Sequence, residues 1–186
     1  MVYVFLADGF EEIEALAPVD LLRRAGVETQ TVSIVANRRA VTGARKIPVN
    51  ADITIEEVEL AKADLLVLPG GMPGTTNLAA CEKLMAMVDD FAKSADNSKR
   101  VAAICAAPAR TLGARGLLKG KKATCYPGME SEMTGAEFVA EKVVTDGNIT
   151  TSRGMGTAVE FGLELVKLLC GQAKADELRK SVVADI

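Results

Sequence analysis

The chain has 186 residues, 49% hydrophobic and 4% aromatic, with 22 basic and 25 acidic side chains and a formal net charge of −3. That length and apolar content fit one domain over 1–186 with a full core. Interleaved charge of both signs and a pI near 5.2 leave neither a basic stripe for phosphates nor a stacking platform, which argues against nucleic acid as a partner.

The chain opens MVYVFLADGFEE. The apolar run is too short to span a membrane, and it has neither a basic leading region nor a small-residue cleavage site. It reads as a first strand over 2–7, in a cytoplasmic protein with no membrane association. Residues 11–25 have helical spacing, Gly26 stops them, and 27–35 is β-branched and alternating, completing a β-α-β unit. Residues 38–51 read as short strands and turns. DLLVL at 64–68 and RVAAI at 100–104 are apolar without alternation, as in parallel strands covered on both faces. Between them 81–94 is helical, and 106–115 forms another helix ended by Gly116. Asp146-Gly147 between two short β runs marks a hairpin within 142–150. Thr157 and Glu160 form a capping box for a helix through Leu169. The expected fold is a three-layer α/β/α sandwich, flavodoxin-like, with a mostly parallel central sheet, in which sites form beyond the carboxyl ends of the strands.

Three segments lie where a strand ends: ADGFEEIE at 7–14, LPGG at 68–71 and ICAAP at 104–108. Cys105 in the third is flanked at minus two and plus two by Ala103 and Ala107, the small residues a nucleophile elbow needs. Amides of Ala106 and its neighbours, at a helix start that tolerates Pro108, would then lower the thiol pKa. Cys105 reads equally well as a small buried core residue. The sequence contains no histidine, so the usual imidazole base does not exist and any partner of this thiol must be a carboxyl group. Glu14 is the best available one. At about 100° per residue it falls within about 60° of Phe10, Ala17, Pro18, Leu21 and Ala25, on the apolar face, whereas Glu12 lies roughly opposite. Burial there would raise its pKa and let a neutral carboxyl donate a hydrogen bond or a proton. Pro18 removes the amide that would bond the Glu14 carbonyl and should bend the helix. The alternative for Glu14 is a surface role, or a cap shared with Glu11 and Glu12. Gly70 and Gly71 can bring backbone amides close to a ligand, as an oxyanion hole requires, or simply form a turn. Neither Gly154-Met155-Gly156 nor 70–75 completes a nucleotide fingerprint. Cys81, Cys105, Cys125 and Cys170 have no CxxC or framework spacing, so they read as reduced thiols without a metal site.

Taken together, GFEEIEALAPVDLLRRAGV, DLLVLPGG, AAICAAP and TSRGMGT resemble the ThiJ/PfpI superfamily, and specifically its DJ-one branch, the Parkinson-associated protein deglycase group, over nearly the whole chain. The resemblance implies a nucleophile at Cys105, a protonated carboxyl partner at Glu14 and oxyanion amides at Gly71 and Ala106 beside Gly70. It places Arg45 and Arg153 near the site, with Arg45 reaching across a homodimer interface formed around the first helix. Tyr126 stands where the family often has histidine, and a tyrosine can donate a hydrogen bond but is no base near neutral pH. Ala106 stands where the protease-like branch has histidine, which with the absence of histidine excludes a peptidase or amidotransferase triad. Cys125 is either a resolving thiol or a passive core cysteine. The implied function is a cofactor-free glyoxalase III or protein deglycase, acting on methylglyoxal-type dicarbonyls or early glycation adducts on protein. The alternative is a redox-sensing, chaperone-like protein whose Cys105 is oxidised to sulfinate.

Overall fold

A computed structural model describes residues 1–96 and 98–184. The strands are β1 (Val2–Leu6), β2 (Thr29–Ser33), β3 (Ala40–Thr42), β4 (Pro48–Asn50), β5 (Ile53–Thr54), β6 (Leu65–Leu68), β7 (Arg100–Ile104), β8 (Lys122–Ala123), β9 (Glu137–Phe138), β10 (Val143–Asp146) and β11 (Ile149–Ser152). The α-helices are α1 (Glu12–Arg24), α2 (Gly74–Ala80), α3 (Glu82–Ala92), α4 (Ala158–Cys170) and α5 (Gln172–Ser181).

Seven strands form one sheet in the order β10-β11-β7-β6-β1-β2-β5, parallel except for the edge strand β10. Alternate side chains of the central strands enter opposite cores. Tyr3, Phe5, Leu66, Leu68, Val101 and Ala103 meet α2, α3 and the turn after β7 on one face. Val2, Val4, Leu6, Leu65, Val67, Ala102 and Ile104 meet α1, α4 and α5 on the other. This is why these strands are apolar without alternation, and it makes the predicted three-layer α/β/α sandwich. α1 and α4 approach closely at Gly162, where a Cβ would lie 2.6 Å from Leu21 Cδ1 and 3.1 Å from Pro18 Cα. No helix among the described residues is long and apolar enough to cross a membrane.

Three local expectations are corrected. The segment after Cys105 is no regular α-helix but a π turn over Pro108–Leu112 followed by a 3-10 turn over Gly113–Arg115. The Thr111 hydroxyl competes for the Ala107 carbonyl at 2.5 Å, and Gly113 lies flush against the backbone of Glu132 and Met133, so the coil widens and then tightens. Left-handed Gly116 ends it as expected. Thr157 precedes α4 without capping it. Its hydroxyl turns to the Gly154 carbonyl (2.8 Å) and the Ser152 hydroxyl (2.7 Å), while Glu160 pairs with Lys142. The hairpin turn falls one residue later than Asp146-Gly147, on Gly147-Asn148, because Asp146 is already paired with Ile149.

The chain runs from β1 to β2 on one side and returns to β6 on the other, so a crevice opens between the carboxyl ends of β1 and β6. The start of α1, the Gly70-Gly71 turn and Cys105 all reach that crevice.

Candidate active site

Cys105 follows the last residue of β7 and is left-handed, with φ of 66°. That conformation costs a side chain other than glycine about 1–2 kcal/mol. Both its backbone polar groups are fastened: its amide donates to the Ser152 carbonyl at 2.9 Å, and its carbonyl accepts from the Tyr126 amide at 2.8 Å. β11 and the 124–126 segment thus hold the strained residue in place. Ala103 and Ala107 are fully buried beside it, leaving room for the sharp turn. The sulfur receives the amides of Ala106 and Gly71.

Glu14, in the first turn of α1, is 1% exposed. Its Oε2 accepts from the Gly70 amide at 3.0 Å, and its carboxyl shares a hydrogen bond with the Cys105 thiol. Glu11 serves as the N-cap, accepting from the Glu14 amide at 2.8 Å. Burial pushes the Glu14 carboxyl up to about 7, against the Cys105 and Gly70 hydrogen bonds and with the Glu11 charge adding to the rise. Burial first, and then the Glu14 charge, push the Cys105 thiol up to about 12, outweighing the two amides. The expected lowering of this thiol by a helix start is therefore corrected: no regular helix begins here, and burial beside a carboxylate wins. The two groups titrate as a coupled pair in which the carboxyl loses its proton before the thiol does. Once it has, Glu14 stands as a carboxylate beside a protonated thiol, and the amides at the sulfur offset part of the cost of moving the thiol proton to it.

Both glycines of the turn after β6 are dictated by close approach. A Cβ on Gly70 would lie 2.5 Å from Glu14 Oε2 and 2.6 Å from Cys105 Cβ. Gly71 has φ of 89°, and a Cβ there would fall 2.3 Å from the Glu11 nitrogen. The Gly70 amide is spent on Glu14, which leaves the amides of Gly71 and Ala106 at the sulfur.

Glu14 and Cys105 line a cleft of about 890 Å3, together with Arg45, Tyr126 and Arg153. Arg45 thus lines the cleft of its own chain. The Arg153 guanidinium stands 5.7 Å from the Phe138 ring centre. Tyr126 is half exposed, as are Met72 and Met155 on the rim. Cys125 is fully buried, its thiol donating to the Tyr126 carbonyl at 3.4 Å, and burial with the Glu130 charge pushes it up to about 11. That environment suits a passive cysteine better than a resolving one. No cluster of three metal-ligating side chains occurs among the described residues. Glu12, expected to lie away from the apolar face, is buried at 3% exposure beneath the 43–47 turn. Helical periodicity gives no sign of that, because the covering turn is remote in sequence.

The model of the DJ-1/PfpI family matches residues 1–168. The chain belongs to the DJ-1/PfpI family. DJ-1 homolog B of Arabidopsis thaliana is 41% identical over 98% of this chain and 41% of its own length. The chain thus spans less than half of the plant relatives it matches. A deglycase of Pyrococcus abyssi is 36% identical over 90% of this chain and 98% of its own. The solved structure of oxidized Toxoplasma gondii DJ-1 is 36% identical, with a TM-score of 0.90 over 98% of this chain and 97% of that one. The resemblance read from the four sequence segments and the flavodoxin-like fold are therefore both right.

Proposed function

We propose that this DJ-1/PfpI protein is a cofactor-free enzyme acting on small reactive dicarbonyls such as methylglyoxal, or on early glycation adducts of protein, through Cys105 and Glu14. The observation that carries the reading is the buried Glu14 carboxyl, hydrogen-bonded to the thiol of a strained elbow cysteine that also receives two backbone amides. The deglycase name of the Pyrococcus relative supports it. In this mechanism Glu14 takes the thiol proton and the sulfur adds to the aldehyde carbon, forming the C–S bond of a hemithioacetal. The amides of Gly71 and Ala106 hold the resulting oxyanion. Glu14 gives the thiol proton to the oxyanion, and its freed carboxylate then carries the proton from the former aldehyde carbon to its neighbour while the hydroxyl proton passes to the neighbouring oxygen, giving a thioester of the hydroxy acid. Water cleaves the C–S bond, releases lactate and returns the thiol. The sum is methylglyoxal plus water giving lactate, with no oxidant required. Arg45, Arg153 and Tyr126 border the space where the substrate would lie. The chain works as a single cytoplasmic domain, paired through the region around α1 as a homodimer.

Steady-state lactate formation from methylglyoxal, in buffer free of amines and thiols, tests this proposal. Wild type should turn over many times, and Cys105→Ser and Glu14→Gln should each abolish turnover. Absence of lactate from wild type would overturn it. A second reading is favoured by the same hydrogen bond: a neutral Glu14 can donate to an oxidised Cys105 and stabilise a sulfinate, making the protein a redox sensor with a chaperone-like role. It requires that wild type make no lactate while Glu14→Asp alters the oxidation product identified by mass spectrometry.

A further inference from the structure

We propose that Glu12 is a positioning residue whose buried carboxylate clips the 43–47 turn to the first turn of α1 and so sets the Arg45 guanidinium at the cleft. Its Oε1 accepts from the Arg45 amide at 2.7 Å and, at the long limit, from the Ile47 amide at 3.5 Å. Oε2 is buried with no partner. Leaving a carboxylate oxygen so placed is costly, and α1 gains nothing from it within the helix, where Glu11 already caps. The turn is shaped around the carboxylate. A Cβ on Gly43 would lie 2.2 Å from Glu12 Oε1 and 2.3 Å from its Cδ, so only glycine leaves room. The rest of the turn closes on itself through Gly43 to Ile47 and Lys46 to Gly43 hydrogen bonds at 3.0 Å, with Lys46 left-handed. Ala44 donates to the Phe10 carbonyl at 2.7 Å, so the Glu12 bond is the one side-chain fastening at the residue that carries the guanidinium. Among the described residues Arg45 has no ion-pair partner, and it lines the cleft together with Glu11, Glu14 and Arg153.

The inference rests on the proposed function's reading of Cys105 as the reacting group, but its test needs no turnover. Cys105 is alkylated in parallel by iodoacetate, which is anionic, and by iodoacetamide, which is neutral, and each rate is followed by mass spectrometry of the Cys105 peptide. The ratio of the two rates reports the positive potential over the sulfur. Arg45→Gln should lower that ratio about threefold, as expected for one charge acting across a solvated cleft. Glu12→Ala should lower it by the same factor, with no further drop in the double variant. Glu12→Gln keeps an acceptor oxygen for the Arg45 amide and should keep the wild-type ratio. Gly43→Ala, which forces the carboxylate aside from the opposite direction, should reproduce the drop with Glu12 itself in place. A purely structural Glu12 would change both rates equally and leave the ratio alone. A Glu12 acting through its own charge would raise the ratio on removal, and so would overturn the proposal, as would additivity with Arg45→Gln. Failure of lactate formation in the wild type would be a separate result, bearing on the enzyme reading alone.

Discussion

Removing the Glu14 carboxyl should remove a part of the stability that is lost as pH rises. Burial disfavours the charge of Glu14 and pushes its carboxyl from the ordinary 4.5 up to about 7 in the folded protein. Between those values the folded chain keeps a proton that the unfolded chain releases. Unfolding therefore liberates a proton, and stability contributed by neutral Glu14 is fully present below pH 4.5 and is lost as pH rises through about 7. A difference of about 2.5 units at about 1.36 kcal/mol each gives roughly 3 kcal/mol over the whole window, of which about 2.5 kcal/mol falls between pH 5 and 8. Glu14→Gln keeps an oxygen for the Gly70 amide and has no charge to bury, so it escapes this loss. The assay is urea unfolding of wild type and Glu14→Gln at pH values from 5 to 8, below the range in which the Cys105 thiol titrates. The stability difference, wild type minus variant, should fall by about 2–3 kcal/mol across that range. A difference that stays flat, or that grows with pH, would show that Glu14 is not held neutral by burial, and the proton transfer assigned to it would lose its basis.

Gly70→Ala would put a methyl group 2.5 Å from Glu14 Oε2 and 2.6 Å from Cys105 Cβ, wedging the pair apart. Stability should drop by about 1–3 kcal/mol and lactate turnover by about a hundredfold or more, whereas near wild-type kcat would show that the contact is dispensable. Cys105→Gly and Cys105→Ala both lack the sulfur, but only glycine accepts φ of 66° freely, so the alanine variant should be the less stable by about 1 kcal/mol in urea titrations. Equal stabilities would mean that the elbow relaxes once the thiol is gone.

What could be read from the sequence follows from how local each cause is. β1, β6 and β7 declared themselves because burial on both faces leaves no polar position in a strand, and α1 ran within one residue of its predicted ends because Glu11 and Gly26 act where they stand. The burial of Glu14 was legible because its apolar neighbours lie on its own helix. Two of the misreadings have the opposite property: the coil after Cys105 packs against Glu132 and Met133, and Glu12 is buried by a turn more than thirty residues away. In both, a contact made only in the fold overrides a local pattern that was itself sound. Thr157 is instead lost to near neighbours, the Gly154 carbonyl and the Ser152 hydroxyl.

The same distinction bears on how the cleft is activated. A helix start is a local device, and on that basis Cys105 alone would be a thiolate. The structure instead joins the thiol to a carboxyl brought from a different strand end, so in the proposed mechanism the sulfur becomes nucleophilic only by giving its proton to that oxygen. Two carboxyls in one helical turn then divide the work. Glu14 reaches the Gly70 amide and the sulfur, while Glu12, two residues earlier and turned the other way, reaches the Arg45 amide. Because both depart from the first turn of α1, which Glu11 ties to the Gly70 carbonyl at 2.9 Å, a shift of that turn would move the acid and the guanidinium together. The two walls of the cleft are thus kept in register by one rigid element, although no motif joins residues 12, 14, 45 and 105 in the sequence.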